Sequence, residues 1–335
     1  MKVCRKWFSV RRFCLGILCL FMLCLLPAGC GLPAFQRDRP DTGTGYTVVD
    51  AQGTEIYIPH KPKRILAGNL SYDTMLLGLT TADHLAAVNQ LDRDPMSSFI
   101  AEDAKSVKMT VKSLTGLPLE TVMKSRPDVI IVPDWTSRND IDMFRSLGYP
   151  VVVGKGPDSM EDVRQDILLM GKVLGEEERS RKVIAEMNRQ MEEIDAVMNE
   201  RKEDWPVGLL VSQMTSWGGP GSIFDELTTK ARVKNGIAEA GLINGQELTK
   251  ESVLKADPDF FLVSAYPNGN MSSFQKEWFH DPALQHMKGI HRIVPLPNRY
   301  LYCASQNMPY AIKAVANAGY GPVFDLSDEH LIRGY

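Results

Sequence analysis

Cysteine is nearly absent from the body of this chain. Of six in 335 residues, Cys4, Cys14, Cys19, Cys24 and Cys30 crowd the first thirty positions, and only Cys303 follows. A lone thiol cannot close an internal disulfide, so everything after Cys30 must be held by an apolar core. Charge of one sign is also lacking: a net charge of −3 leaves no basic footprint for nucleic acid. The six histidines, His60, His84, His280, His286, His291 and His330, form no HxH or HExxH arrangement, which argues against a site for bare Zn or Mn. No GxSxG elbow or Walker A signature is present, so an exported hydrolase stands only as a minor alternative. The apolar run Phe13–Leu26 is 14 residues long, short of the ~20 that a membrane-spanning helix needs.

What is present at the start is a secretory layout. Lys2, Arg5, Lys6, Arg11 and Arg12 precede the apolar run, which ends in Pro27-Ala28-Gly29-Cys30. Small residues before a cysteine resemble a bacterial lipobox, with Pro27 where Leu is usual. The expected layout is a signal peptide over 1–29, acylation of Cys30, and a Pro- and Gly-bearing tether over 30–45.

From Tyr46 onward the pattern is structural. Tyr46–Val49 and Glu55–Ile58 read as two short paired strands about a Gln52-Gly53 turn. Short apolar runs at Val129–Val132, Val151–Val153 and Val207–Val211 alternate with helical segments, which indicates parallel βα units. Over 159–199 apolar positions recur at helical spacing, either as one helix joining two lobes or as two surface helices interrupted at Gly175. The expected organisation is an N-terminal α/β lobe over 46–158, a linking helix over 159–199 and a C-terminal α/β lobe over 200–335.

The most informative feature is an internal repeat. Glu120-Thr-Val-Met-Lys-Ser-Arg-Pro-Asp-Val-Ile-Ile-Val132 aligns without a gap on Glu251-Ser-Val-Leu-Lys-Ala-Asp-Pro-Asp-Phe-Phe-Leu-Val263. In each copy a carboxylate complements the helix dipole, apolar side chains follow, and Pro-Asp ends the helix before a buried strand. A weaker echo pairs Gly68–Tyr72 with Ser212–Trp217. Ligands of open α/β sheets bind at such strand ends.

These elements together resemble the iron-siderophore and cobalamin class of periplasmic binding proteins. The matching pieces include Val49-Asp50-Ala51-Gln52-Gly53, Pro62-Lys63-Arg64-Ile65, both repeat units, Ala238-Glu239-Ala240-Gly241-Leu242, Asp281-Pro282 and Arg292–Leu296. The resemblance covers nearly all of the chain after the tether. It implies an α/β fold of class III type: two Rossmann-like lobes joined by a single long helix, with the ligand cleft between them. It further implies a monomeric, non-enzymatic lipoprotein that presents its ligand to an ABC permease dimer with a cytoplasmic ATPase. Glu120 and Glu251 resemble that family's docking acids, although each would complement a helix dipole in any case. No intrinsic cofactor is implied. The expected ligand is a ferric siderophore, a corrinoid or haem. Candidate cleft residues are Asn69, Tyr72, Trp135, Arg138, Trp217, Tyr266, Arg299 and Gln306, with Tyr302, Ser305 and Tyr310 near the last strand. Gly218–Ser222 is a candidate anion cradle.

Overall fold

The computed structural model describes residues 45–335 except 114–115, 213, 215 and 266–271. The expected signal peptide, Cys30, the expected tether as far as residue 44 and Tyr266 lie outside the described residues. The described chain opens with β1 (Tyr46–Val49) paired antiparallel to β2 (Glu55–Ile58). Buried Asp50 forms the turn, its Oδ1 accepting from the Gln52 N–H at 3.0 Å and the Thr54 N–H at 2.8 Å.

The first lobe then runs β3 (Ile65–Leu66), α1 (Leu70–Leu79), β4 (Leu85–Asn89), α2 (Ala101–Ala104), β5 (Thr110–Val111), α3 (Leu119–Ser125), β6 (Val129–Pro133), α4 (Arg138–Ser146) and β7 (Val151–Gly154). Helices α5 (Met160–Leu174) and α6 (Glu177–Asn199) follow. The second lobe is β8 (Val207–Val211), α7 (Ile223–Lys230), β9 (Lys234–Asn235), α8 (Gly236–Glu239), α9 (Lys250–Ala256), β10 (Phe260–Ser264), α10 (Ser273–Phe279), β11 (Ile293–Leu296), α11 (Asn298–Tyr302) and α12 (Met308–Tyr320). Strands of the first sheet are parallel in the order β5-β4-β3-β6-β7, and those of the second in the order β9-β8-β10-β11. The sequence β4-β3-β6-β7 is thus repeated as β9-β8-β10-β11. Both β6 and β10 are buried at every position, as strands covered on both faces are.

The repeat has a physical basis finer than its helix–strand outline. Both α3 and α9 close on a non-glycine residue in the left-handed region, Arg126 at φ 47° and its counterpart Asp257 at φ 41°. Each Pro-Asp carboxylate then ties its strand to the start of the neighbouring one. Asp128 Oδ2 accepts the N–H groups of Lys63 (2.8 Å) and Arg64 (3.0 Å), and its own N–H donates to Arg64 O at 2.7 Å. Asp259 Oδ2 accepts the Val207 N–H at 2.7 Å, and the Asp259 N–H donates to Val207 O at 2.8 Å.

The linking helix is shorter than the 159–199 stretch that its periodicity outlines. Gly175 takes φ 62° and caps α5, so α6 alone, 23 residues long, is the long helix. Its buried side, including Met187, Gln190 and Ile194, packs on α1 of the first lobe and α12 of the second. A second seam was not foreseen: α1 is buried at nine of ten positions and is gripped by the end of the chain. Gln306 Nε2 donates to Thr74 O at 2.8 Å, the Gly334 N–H to Gly78 O at 2.9 Å, and the Tyr335 hydroxyl to Thr80 O at 2.9 Å.

If the two aspartates do the same work, Asp128→Ala and Asp259→Ala should each cost about 1–3 kcal/mol. Asp259 should sit towards the upper end because it also meets Lys288 at 3.0 Å. Urea unfolding of both variants checks this; a cost confined to one of them would show that the ties are not equivalent.

Candidate ligand cleft and docking surface

In each sheet the chain leaves the central strand on one side and returns on the other, so a topological switch point lies between β3 and β6 and another between β8 and β10. In the first lobe a small pocket marks that point, lined by Gly68, Asn69, Leu117, Pro133, Trp135 and Thr136. Trp135 is 56% exposed, and its indole lies on Gly156, where any Cβ would collide with the ring. In the second lobe the Tyr302 hydroxyl bridges the ends of β8 and β10, at 2.8 Å from Ser212 Oγ and 3.2 Å from Ser264 Oγ. The Trp217 ring packs 5.1 Å from that of Tyr302 and 6.2 Å from that of Phe224. Trp135 on one side and Trp217 with Tyr302 on the other therefore stand at the two switch points.

Other expected cleft residues have different employment. Asn69 caps α1, its Oδ1 accepting from Ser71 N–H at 3.0 Å and Tyr72 N–H at 3.2 Å, while remaining on the pocket wall. Tyr72 is sealed in the core, with its hydroxyl 3.4 Å from Lys155 O, because α1 has no exposed face to present it. Gln306 is likewise wholly buried against α1. Arg299 is neutralised by a bidentate pair with Glu329 at 2.9 and 3.0 Å and donates to Pro95 O, so it braces the lobes and does not meet an anion. Arg138 opens α4 with its side chain 92% exposed, 3.7 Å from Asp142. The glycine-rich turn is no anion cradle: the Gly218 N–H goes to Asn244 Oδ1, the Gly221 N–H to Asp225 Oδ2, and a carboxylate occupies the place an anion would take. Tyr266 lies outside the described residues.

Sequence reasoning missed a pair of asparagine clamps. Asn89, ending β4, donates to Gly68 O at 3.1 Å and accepts the Leu91 N–H at 3.0 Å. Asn235, ending β9, donates to Gly218 O at 2.8 Å and accepts the Ile237 N–H at 3.0 Å. A helix aspartate completes each: Asp73 accepts from the N–H groups of Gly68 and Asn89, and Asp225 from Gly221 N–H and Asn235 Nδ2. Each clamp fixes the loop at its switch point. The only sequence signal is a polar residue closing a short strand, too common to single out. Asp73 itself is fully buried, and burial, then the neighbouring Asp92 carboxyl, raises its pKa.

Acids collect at the mouth of the first lobe. Asp134 and Asp158 lie in the loops after β6 and β7, Asp162 in the first turn of α5, and the loop cation among them, Lys155, sits 3.9 Å from Asp134. Burial, then repulsion from Asp162 and Asp134, raises the Asp158 pKa. Asp166, one turn further along α5, accepts the Lys155 N–H at 2.7 Å and is pushed up to about 7, chiefly by burial. Among the described residues no group of three or more His, Cys, Asp or Glu could hold a metal ion.

The two matching acids occupy equivalent places. The carboxyl end of α3 lies against the start of β3, since Arg64 donates to Ser125 O and Asp128 ties to Lys63 and Arg64. Its amino end, with Glu120, is therefore turned towards the strand ends that form the cleft. Asp259 and Val207 fix α9 and Glu251 the same way. Glu120 is exposed and paired with Lys124 at 2.6 Å, which lowers its pKa. The lysine at the equivalent position after Glu251, Lys255, turns aside to cap Ala240 O at 2.8 Å.

Residues 65–292 match the family model described as periplasmic binding protein. The ABC transporter substrate-binding lipoprotein YvrC of Bacillus subtilis (strain 168) is 21% identical over 279 residues, covering 80% of this chain and 85% of that protein. Among solved structures, the periplasmic haem-binding protein RhuT from Roseiflexus sp. RS-1 superposes with a TM-score of 0.68 at 19% identity, over 78% of this chain and 99% of that one. A periplasmic solute-binding protein from Veillonella parvula gives 0.66 at 17% identity, over 85% and 89%. Among the described residues no helix is long and apolar enough to cross a membrane.

The raised Asp166 pKa has a defined consequence. An acid whose pKa is higher folded than unfolded takes up a proton on folding, so its contribution falls as pH rises from about 4 through about 7. Asp166→Asn keeps an oxygen for the Lys155 N–H and removes the titration. Thermal unfolding should show the variant gaining on the parent at pH 8 relative to pH 5; an unchanged difference across that range would refute the assignment.

Proposed function

From the premise that this chain belongs to the periplasmic binding protein family, we propose that it captures a bulky metal chelate between its two switch points and delivers it to an ABC importer. It is a substrate-binding component of transport, not an enzyme. The observation that carries the reading is the duplication itself: two lobes, each with an aromatic side chain at its switch point and an exposed acid on the rim of its cleft. In this reading Cys30 carries the lipid that holds the protein outside the cell, and the permease dimer with its ATPase receives the ligand. Glu120 and Glu251 contact basic groups of that dimer, one per lobe.

The charge of the cleft narrows the ligand. The loops after β6 and β7 bring Asp134 and Asp158 beside Lys155, Arg138 at the start of α4 lies 3.7 Å from Asp142, and Arg299 is already neutralised. A polyanionic catecholate complex would meet repulsion there. A corrinoid, or a hydroxamate chelate with a neutral or cationic periphery, suits carboxylates beside an exposed indole. Haem in the same cleft is a second reading, supported by the Tyr302 hydroxyl: two serine oxygens within 3.2 Å could donate to a phenolate that ligates iron.

Mass spectrometry of ligand co-purified with the exported protein tests the class. Titration with haemin followed by absorbance separates the two readings: a ligated-haem spectrum lost in Tyr302→Phe supports the second, and no spectral change removes it. Trp135→Ala should weaken binding of the co-purified chelate about tenfold, the scale of one lost aromatic contact. The Glu120→Ala/Glu251→Ala double variant should abolish uptake with ligand affinity intact. Collapse of ligand affinity in that variant would instead place the acids in ligand binding.

A further inference from the structure

We propose that the docking surface on each lobe is a pair, an acid and an apolar knob one helical turn later, and that Met123 and Leu254 are those knobs. The inference rests on the docking role of Glu120 and Glu251 and adds the contact that supplies most of the affinity. Met123 is 56% exposed and Leu254 44%. They stand at the same register of the repeat, three residues after each acid, on helices where the neighbouring Val122 and Val253 point into the core. One exposed apolar side chain on a surface needs no explanation. Two of them at matched positions of two duplicated helices, each beside an exposed carboxylate, are not accounted for by folding, because neither contributes to its own lobe's core.

The matched surface also specifies the partner's shape. A rim presenting the same acid-plus-knob twice, once on each lobe, fits a partner that carries the complementary site twice, as a dimeric permease does. Around Met123 the surface is concave, lined by Arg64, Leu119, Glu120, Met123, Lys124 and Arg126. On the second lobe, Lys250 is held by Asp281 and Lys255 by Ala240 O, which leaves Glu251 and Leu254 as the projecting pair. At a protein interface the buried apolar centre supplies affinity, while rim charges set orientation and approach.

The test uses the ligand-free full chain and its cognate permease–ATPase complex in lipid nanodiscs. Met123→Ser and Leu254→Ser should each raise the Kd for the transporter on the order of tenfold, and the double variant more, with the thermal midpoint of the free protein unchanged because both sites are exposed. Transporter binding unaltered in the double variant, or altered by only one of the single variants, overturns the proposal. Glu120→Ala/Glu251→Ala is run beside them. If the acid variant weakens binding and the serine variant does not, the knobs fall and acid docking stands; if neither does, the docking reading falls with them.

Discussion

Helix α1 has no solvent face, and much of this structure follows from that. Nine of its ten residues are buried, enclosed by the first sheet, by α6 and by a strap of C-terminal residues that donates to the carbonyls of Thr74, Leu77, Gly78 and Thr80. Opening the lobes about this seam would strand those carbonyls and expose apolar side chains such as Met75, Leu76, Leu77 and Leu79 together. Those contacts resist separation of the lobes along this seam.

Polar function is confined to the strand ends for a related reason. Parallel strands buried on both faces have nowhere else to place a side chain that meets water. The carboxyl ends carry Trp135, Tyr302 and the asparagine clamps. The amino ends carry the aspartates that tie strand to strand. Asn89 and Asn235 hold the loops after β3 and β8, and buried Asp73, accepting the Gly68 N–H, serves structure.

How much of this could be read beforehand depends on the range of the interaction. The hairpin at Tyr46–Ile58 and the helix–strand repeat were legible, because turn chemistry and an ungapped match are local. The shared fate of Arg126 and Asp257, both left-handed, and the shared role of Asp128 and Asp259 are repeats of geometry that the aligned letters only partly display. Tyr72, Gln306 and Arg299 were misplaced for one reason: each was judged by its proximity to a strand end, and each is claimed by a partner distant in sequence, the core around α1, Thr74 and Glu329 respectively. The break in the linking helix turns on one glycine, which periodicity in the flanking residues cannot weigh.

The two halves are most alike where they face outward and least alike where they meet. On the repeated helices the left-handed C-caps Arg126 and Asp257 and the exposed Met123 and Leu254 correspond, but only α9 has a side-chain N-cap, from Thr249. At the seam Glu226 of the second lobe accepts the Met160 N–H at the start of α5 at 2.7 Å, placing a carboxylate on the amino end of that helix. Even Lys124 and Lys255, identical in the repeat, diverge, one pairing with its rim acid and the other capping Ala240. In the docking proposed above the two lobes would be unequal, since Glu120 is already paired with Lys124 whereas Lys255 is held at Ala240 O.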